Sequence, residues 1–217
     1  MIEHVYRRTA AARLVSSVIV ATDDERILET VRSFGGVACL TSPAHPSGTD
    51  RLAEVAAELA SSIVVNVQGD EPLIEPEMID QAIAPLLEDE MVMMSTLRRR
   101  IDDPAEFRNP HVTKVVVDRD GYALYFSRAP IPHVRDGVPS VPAFRHVGLY
   151  VYRRDCLLHL ASLPPTALEM CERLEQLRAL EHGIRILAVE TEHQSMGVDT
   201  PEDLERVRRL VGSGARG

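Results

Sequence analysis

The segment Ile63-Val-Val-Asn-Val-Gln-Gly-Asp-Glu-Pro72 constrains the fold of this chain more than any other stretch. Its first five residues are mostly apolar and β-branched, which is typical of a buried strand in a parallel sheet. The strand pattern ends at Gln68, and a polar loop that contains Asp70 follows. Because ligands of open α/β sheets bind outside the carboxyl ends of the strands, Asp70 is the first candidate for a functional residue. A carboxylate there suits Mg²⁺ bound to phosphate oxygens, although an acidic turn after a core strand explains the pattern equally well.

The sequence around this segment alternates between strand and helix patterns. Helical spacing at 1–12 is followed by strand patterns at 17–22, 37–41 and 63–67, which alternate with helical patterns at 25–34, 50–59 and 77–87. Thr49 is the expected N-cap of the helix at 50–59. The alternation predicts an α/β fold with a doubly wound, mostly parallel sheet.

Residues 98–150 depart from this rhythm and predict an inserted antiparallel lobe. Strand patterns at 91–97, 112–118, 123–127 and 146–152 have no long helix between them, and the turn at 118–121 predicts a hairpin. The proline-rich loop at 129–143 has a length typical of functional loops. A helix at 168–181, a strand at 184–189 and a helix at 201–210 return to the α/β pattern. We therefore expect a core at 1–97, a lobe at 98–150, a return to the core at 151–211 and a frayed tail at 212–217.

Composition excludes several classes of protein. The chain has 217 residues and a formal net charge of −9, which argues against nonspecific nucleic-acid binding because that requires a basic face. No apolar run reaches the length of a membrane-spanning helix, so no membrane partner is expected. Cys39, Cys156 and Cys171 lack metal-type spacing and fit a reducing cytoplasm.

A second acidic candidate, Asp199, precedes the last predicted helix. Thr200 is the expected N-cap of that helix, with Pro201 in its first turn and Asp203 as the capping-box partner. This cap leaves Asp199 unexplained, and its carboxylate could share a metal ion with Asp70. Spacing alone leaves a structural role for Asp199 open.

Six segments together resemble one enzyme family. They are Ala44-His-Pro-Ser-Gly-Thr-Asp-Arg-Leu-Ala-Glu54, Val65-Asn-Val-Gln-Gly-Asp-Glu-Pro72, Gly121-Tyr-Ala-Leu-Tyr-Phe-Ser-Arg-Ala-Pro-Ile-Pro132, Arg145-His-Val-Gly-Leu-Tyr150, Leu174-Glu-Gln-Leu-Arg178 and Gly197-Val-Asp-Thr-Pro-Glu-Asp-Leu-Glu-Arg206. In this order they resemble the 3-deoxy-manno-octulosonate cytidylyltransferases, the CMP-Kdo synthetases of Gram-negative bacteria. The resemblance implies a nucleotide-diphospho-sugar transferase-like fold. It also implies transfer of CMP from CTP to the acidic sugar Kdo, with release of pyrophosphate, for lipopolysaccharide synthesis.

The resemblance also implies a role for each matching residue. Asp70 and Asp199 match the catalytic carboxylates that bind Mg²⁺. The cytidine and ribose site is implied at Ser47, Gly48, Thr49, Arg51 and Gln68. The sugar site is implied at Arg135, His146, Tyr150, Glu175 and Gln176, with Arg128 nearby. Members of the family are cytoplasmic and usually homodimeric, with the lobe at 98–150 as the expected dimer contact.

Several of these residues also have a structural interpretation. His146 lies in a strand pattern and could be a hydrogen-bonded core histidine. Glu175 and Gln176 fall in the middle of the predicted helix, where polar side chains usually face solvent. Lys114 is the only lysine among 24 basic residues and could have a structural or a site-supporting role. Arg98-Arg-Arg100 is interpreted as a solvated strand end.

The start of the chain departs from the family pattern. Members begin with an apolar strand and a basic loop that wraps the triphosphate, and Met1-Ile-Glu-His-Val5 corresponds to the helix after that loop. We therefore expect the natural polypeptide to start upstream. Two alternatives stay open: a cytidylyltransferase for another acidic sugar, and a catalytically dead sugar-binding homologue. A glycosyltransferase is disfavoured because Gln68-Gly-Asp-Glu71 lacks an Asp-x-Asp pair.

Overall fold

The computed structural model describes residues 1–135, 141–198 and 200–214, with side chains as far as residue 210. The helices are α1 (Ile2–Ala10), α2 (Glu25–Ser33), α3 (Gly48–Ala57), α4 (Pro76–Glu88), α5 (Pro104–Arg108), α6 (Arg154–Ser162), α7 (Ala167–Glu172), α8 (Gln176–Glu181) and α9 (Pro201–Gly214). The strands are β1 (Val20–Thr22), β2 (Ala38–Leu40), β3 (Ile63–Asn66), β4 (Met94–Arg100), β5 (Lys114–Val117), β6 (Ala123–Ser127), β7 (Phe144–Arg153) and β8 (Leu187–Glu190). In this part of the chain, no helix combines the length and apolarity needed to cross a bilayer.

The chain divides into two compact units. The first comprises Met1–Val55, Val67–Asp80 and His193–Gly217, and the second comprises Ala56–Asn66 and Gln81–Glu192. The predicted division at residues 97 and 150 follows sequence pattern rather than compactness, and it stays a prediction.

The first unit contains a parallel pair of strands. β1 and β2 pair in parallel from Val20 opposite Ala38, and α2 connects them and packs on both. Asp24 caps α2 by accepting a 2.8 Å hydrogen bond from the amide of Arg26. Gly35, at φ 81°, ends the helix with a backbone conformation that few other residues adopt.

The second unit contains a mixed sheet with the strand order β6-β5-β7-β4-β8. The long strand β7 pairs antiparallel with β3, β4 and β5, whereas β4 and β8 pair in parallel. The predicted α/β class is confirmed. Because β7 pairs with strands from distant parts of the chain, it organises the whole sheet of this unit.

The predicted hairpin between β5 and β6 is confirmed. The two strands pair antiparallel, and Gly121, at φ 86°, donates to the carbonyl of Asp118 at 3.2 Å. The Asp118 carboxylate also accepts a 2.9 Å hydrogen bond from the amide of Tyr122. This side chain therefore fixes the turn from within.

Three local predictions are wrong. The helix expected at 168–181 is two helices, α7 and α8, separated at Arg173, so Glu175 and Gln176 lie at the start of α8 rather than in mid-helix. Thr49 does not cap α3, because the helix already begins at Gly48 and the hydroxyl of Ser47 receives the Asp50 amide at 3.3 Å. The solvated strand end expected at residues 98–100 is wrong for Arg98, whereas Arg100 is exposed. The Arg98 side chain is 15% exposed, and its guanidinium lies 4.5 Å from the ring centroid of Phe144.

The capping box predicted at the start of α9 is confirmed. The Asp203 amide donates to the Thr200 hydroxyl at 3.2 Å, and the Thr200 amide donates to the Asp203 carboxylate at 3.1 Å. α9 continues to Gly214, and residues 215–217 of the predicted tail lie outside the described residues. Part of the predicted loop at 129–143, residues 136–140, also lies outside them.

Candidate active site

The loop that carries Asp70 packs against residues 195–198 in the first unit. The amide of Val198 donates a 2.9 Å hydrogen bond to the carbonyl oxygen of Asp70. The hydroxyl of Ser195 donates to the carboxylate of Glu71. At Gly197 a side chain would start 3.4 Å from that same carboxylate, so the two segments approach closely at a glycine. Asp199 itself lies outside the described residues.

This loop suits a hard divalent cation. Asp70 is half-buried and offers carboxylate oxygens, which are the ligands that Mg²⁺ prefers. Mg²⁺ is usually held by one or two protein carboxylates together with substrate phosphates, rather than by a complete protein cage. Among the described residues no group of three or more potential ligands forms such a cage. The donor chemistry therefore fits a Mg²⁺ ion that is completed by a nucleotide.

Most of the candidate nucleotide residues gather at the amino end of α3. The hydroxyl of Ser47 donates to the Asp50 carboxylate at 2.5 Å, which fixes the first turn of the helix. Gly48 has open space where a side chain would begin, and Thr49 is 3% exposed. The fifth candidate, Gln68, is exposed in the Asp70 loop.

Arg51 is held by two side chains of the first unit. Its Nη2 atom donates to the Asp23 carboxylate at 2.9 Å, and its Nη1 atom donates to the Thr41 hydroxyl at 2.5 Å. Asp23 is not among the site residues predicted from the sequence. Its position directly after the strand at 17–22 was the available signal, because the carboxyl ends of strands carry functional groups in this class of fold.

A histidine and a carboxylate close the loop before α3. His45 contacts Glu54, and the amide of Ser42 donates to the same carboxylate at 3.1 Å. The His45 hydrogen bond, followed by that of the Ser42 amide, lowers the pKa of Glu54. The anionic form of Glu54 therefore holds the loop that leads to Ser47.

In the second unit, His146 belongs to a directed hydrogen-bond chain. Its Nε2 atom lies 2.9 Å from the hydroxyl oxygen of Thr96, and that hydroxyl lies 2.8 Å from the carbonyl of Leu149. The shorter contact assigns the single hydroxyl proton to the Leu149 carbonyl, which can only accept, and on that assignment Nε2 carries a proton and donates. Burial, followed by the charge of Arg145, lowers the pKa of His146 to about 3. The imidazole is therefore neutral at physiological pH.

Aromatic rings surround this histidine. The ring centroid of Phe126 lies 5.0 Å away, edge to face, and that of Tyr150 lies 5.3 Å away. Burial raises the pKa of Tyr150 well above its usual value, and the neighbouring Tyr152 and Glu175 act in the same direction. Tyr150 therefore keeps its proton and can donate a hydrogen bond.

Glu175 and Gln176 carry buried polar atoms that lack a partner. Oε1 of Glu175 and Nε2 of Gln176 have no hydrogen bond within the described ranges, and Gln176 is 6% exposed. An unsatisfied buried polar atom costs about 1–3 kcal/mol. These atoms would therefore gain from a ligand that supplies hydroxyl groups.

The two candidate arginines of the sugar site differ in environment. The guanidinium of Arg128 donates to the carbonyls of Glu172 at 2.9 Å and of Pro110 at 3.3 Å. Arg135 is exposed, and no carboxylate of the described residues pairs with it. Arg128 is thus engaged with the protein, whereas Arg135 has no carboxylate partner within the described ranges.

Three backbone carbonyls hold Lys114, which agrees with the structural or site-supporting role expected from the sequence. It is fully buried, and its ammonium donates to the carbonyls of Asn109 at 2.9 Å, Val112 at 2.5 Å and Arg128 at 2.5 Å. Burial lowers the pKa of Lys114, while the charge of Glu172 opposes this shift. Three carbonyl acceptors match the three donors of an ammonium, which explains a lysine in a chain otherwise rich in arginine.

Comparison with known proteins identifies the family of this chain. A sequence profile of the cytidylyltransferase family matches residues 1–186. A 3-deoxy-manno-octulosonate cytidylyltransferase from Geobacter sulfurreducens is 59% identical over 95% of this chain and 87% of its own length. A protein of the same name from Geotalea uraniireducens is 60% identical over 95% of this chain and 86% of its own length. The chain belongs to the 3-deoxy-manno-octulosonate cytidylyltransferase family.

A solved structure supports the same family. It is a CMP:2-keto-3-deoxy-manno-octonic acid synthetase complexed with CTP, which is 42% identical to this chain with a TM-score of 0.94. The match covers 98% of this chain and 88% of that structure. The chain thus shares the fold of that synthetase over nearly its whole length.

Proposed function

We propose that the chain transfers CMP from CTP to 3-deoxy-D-manno-octulosonate (Kdo) and releases pyrophosphate. The observation that carries this proposal is the 59% identity to a relative of that name over 95% of the chain. The match to the CTP complex, with a TM-score of 0.94, supports CTP as the donor. The chain is thus a nucleotidyltransferase whose acceptor is an acidic sugar.

The reaction joins two anions. The anomeric hydroxyl of the sugar attacks the α-phosphorus of CTP, in line with the departing pyrophosphate. The sugar carboxylate and the triphosphate repel each other unless cations offset their charges. Positioning and electrostatic stabilisation supply the rate, and no covalent enzyme intermediate is required.

The nucleotide side of the reaction belongs to the first unit. Ser47, Gly48, Thr49, Arg51 and Gln68 bind the cytidine and ribose in this proposal, with Arg51 oriented by Asp23. Asp70 and Asp199 hold a Mg²⁺ ion, and the contact between Val198 and Asp70 supports their proximity. Mg²⁺, when bound, offsets the negative charge on the triphosphate oxygens.

The sugar side belongs to the second unit. Arg135 binds the sugar carboxylate through the planar fork of its guanidinium, which matches a carboxylate bidentately. His146 and Tyr150 orient the sugar in their neutral forms, and Glu175 and Gln176 bind its hydroxyl groups. The unpartnered polar atoms of Glu175 and Gln176 support this assignment. Arg128 supports the same site.

The remaining features of the proposal concern the setting of the enzyme. We place it in the cytoplasm as a homodimer that activates Kdo for lipopolysaccharide synthesis. These features are what the resemblance to the family implies.

The direct test measures pyrophosphate release from CTP with Kdo and Mg²⁺. Release should require both substrates, stop with EDTA and fall sharply with UTP, ATP or GTP. Asp70→Asn should abolish turnover, whereas Asp120→Asn, an exposed carboxylate in the 118–121 turn, serves as the matched control. Faster turnover of a sialic acid or an amino-substituted Kdo would reassign the sugar. Binding of Kdo by calorimetry without any turnover would instead identify a sugar-binding homologue.

A further inference from the structure

The break between α7 and α8 occurs at a residue whose backbone conformation is unusual. Arg173 has φ 55° and ψ 47°, the left-handed conformation, although it is not a glycine. Residues with a Cβ rarely adopt this conformation unless their surroundings impose it. Two residues later, Glu175 occupies the N-cap of α8, followed by Gln176. The turn at Arg173 therefore determines where both polar side chains begin.

Reciprocal hydrogen bonds hold this turn against the end of β6. The guanidinium of Arg128 donates from Nε to the Glu172 carbonyl at 2.9 Å and from Nη2 to the Arg173 carbonyl at 3.5 Å. The Glu172 carboxylate in turn accepts hydrogen bonds from the Ser127 hydroxyl at 2.6 Å and the Arg128 amide at 2.9 Å. We call these bonds between residues 127–128 and 172–173 the Arg128–Glu172 clamp.

The clamp supplies hydrogen-bond donors to backbone carbonyls at the carboxyl end of α7. The last carbonyls of a helix have no partner within it, and a cationic side chain there also interacts favourably with the helix dipole. Arg128 supplies both the donors and the charge at the carboxyl end of α7. The buried ammonium of Lys114 donates to the Arg128 carbonyl at 2.5 Å and so anchors the clamp to β5.

The clamp leaves Arg128 committed to the protein. Each of its guanidinium nitrogens donates to a carbonyl, namely those of Glu172, Pro110 and Arg173. A guanidinium that binds a sugar carboxylate bidentately would have to give up part of this arrangement. Arg128 is therefore better placed to act on the sugar through the backbone than by touching it.

We propose that the Arg128–Glu172 clamp is a positioning element for sugar recognition. It holds the left-handed turn at Arg173 and thereby fixes the start of α8, from which Glu175 and Gln176 reach the sugar hydroxyls. This inference rests on the proposed function, because it assigns a role within the sugar site. Arg128 and Glu172 are positioning residues in this account.

Steady-state kinetics with Kdo and CTP varied separately test the proposal. Arg128→Lys keeps the positive charge but loses the planar fork, and the KM for Kdo should rise about tenfold or more, because small displacements of binding groups are costly. The kcat value and the KM for CTP should stay within about twofold. Glu172→Gln should raise the KM for Kdo in the same direction, and it provides the test if Arg128→Lys does not fold.

A glycine at position 173 separates positioning from direct contact. Glycine adopts the left-handed conformation without strain, so it can keep the turn without the clamp. In Arg128→Lys/Arg173→Gly, the KM for Kdo should return to within about threefold of that of Arg173→Gly alone. Failure of glycine to rescue a folded Arg128 variant would show that Arg128 contacts the sugar and would overturn the proposal. An unchanged KM for Kdo, or an equal rise in the KM for CTP, would also overturn it.

The outcome for the wild-type chain keeps the two proposals apart. If the wild-type chain releases no pyrophosphate with any acidic sugar, the proposed function fails. In that case the clamp is tested by calorimetric Kdo binding to the same variants, with the same expected order of affinities. Wild-type affinity for Kdo in Arg128→Lys would then contradict the clamp alone.

Discussion

The backbone amide of Val198 donates a 2.9 Å hydrogen bond to the carbonyl oxygen of Asp70. The two residues are far apart in sequence. Asp70 is itself a predicted metal ligand, and Val198 directly precedes the other predicted ligand, Asp199. The contact brings the chain immediately before Asp199 alongside the loop that carries Asp70. It supports the prediction that the two carboxylates share one ion, and Glu71 helps to hold this contact through Ser195.

Weakening the link between Glu71 and Ser195 should lower activity without unfolding the protein. Glu71→Gln should reduce kcat about tenfold, because groups that orient metal ligands typically affect activity by about 10–100-fold. Glu75→Gln is the matched control, since Glu75 forms a half-exposed ion pair with Arg8. Its effect should stay within about twofold. Equal effects of the two substitutions would contradict a link to the catalytic carboxylates.

The neutral state of His146 should make stability depend on pH. The folded protein holds the pKa of this histidine at about 3, below the unfolded value of 6.5, because of burial and the charge of Arg145. Below pH 6.5 the unfolded chain therefore binds a proton that the folded protein does not bind. The free energy of unfolding should fall between pH 6.5 and about 3, by about 1.4 kcal/mol per pH unit from this residue. Above pH 6.5 this contribution is constant.

Urea unfolding at several pH values checks this dependence. His146→Gln should have a shallower slope than the wild-type chain below pH 6.5, while His182→Gln, at an exposed position at the end of α8, should leave the slope unchanged. Parallel slopes for the wild-type chain and His146→Gln would refute the neutral imidazole.

Breaking the ion pair between Glu169 and Arg178 should destabilise the second unit strongly. The side chains are 11% and 6% exposed, and Arg178 binds both carboxylate oxygens, at 2.8 and 2.6 Å. Burial acts to raise the pKa of Glu169, but the hydrogen bonds and charge of Arg178, together with the hydrogen bonds of Thr166, outweigh it and lower the pKa. Arg178→Leu leaves a buried carboxylate unpaired, so the free energy of unfolding should fall by about 3–5 kcal/mol.

Removing the unpaired charge of Glu169 should restore part of this stability. Glu169→Gln/Arg178→Leu keeps an acceptor for the Thr166 amide, which donates to Glu169 at 3.1 Å. Urea unfolding should show that the double variant recovers a large share of the loss. A double variant as unstable as Arg178→Leu would mean that packing, rather than the unpaired charge, causes the destabilisation.

Arg51 should affect the nucleotide and not the sugar. Arg51→Lys cannot reproduce the paired contacts with Asp23 and Thr41, so the KM for CTP should rise about tenfold while the KM for Kdo stays constant. Asp23→Asn should act in the same direction with a smaller effect. Arg26→Lys alters an exposed Arg–Asp pair of the same unit and should change neither constant. An increase in the KM for Kdo alone would reassign Arg51.

Sequence patterns predicted those parts of the fold that depend on residues close together in the chain. β6 has the predicted bounds, and the Thr200–Asp203 capping box forms as its spacing indicates. The break at Arg173 could not be predicted, because apolar residues continue through it at helical spacing and no glycine marks it. In our proposal the contact with Arg128, which is distant in sequence, holds this break. A tertiary contact of this kind is not visible in the helical pattern.

The sequence predicted which residues are candidates for the site, but not the hydrogen-bond partners of their side chains. The resemblance indicated that His146 belongs to the sugar site, but the direction of its hydrogen bond depends on Thr96 in a neighbouring strand. Asp23 was not predicted because its pairing with Arg51 depends on the fold and not on the spacing of the two residues in the sequence. The fold likewise decides that Arg98 packs on Phe144, although its sequence suggested a solvated charge run.

The central claim is that Asp70 and Asp199 act on one divalent ion during CMP transfer. Its most direct test is kcat/KM for pyrophosphate release by the wild-type chain, Asp70→Asn, Asp199→Asn and the double variant, with CTP, Kdo and Mg²⁺. Each single substitution should lower kcat/KM by about 10²-fold or more. The kcat/KM of the double variant should be little lower than that of either single variant, because each substitution alone already removes the contribution of the shared ion. Losses that multiply in the double variant, or near-wild-type activity in either single variant, would contradict a shared ion.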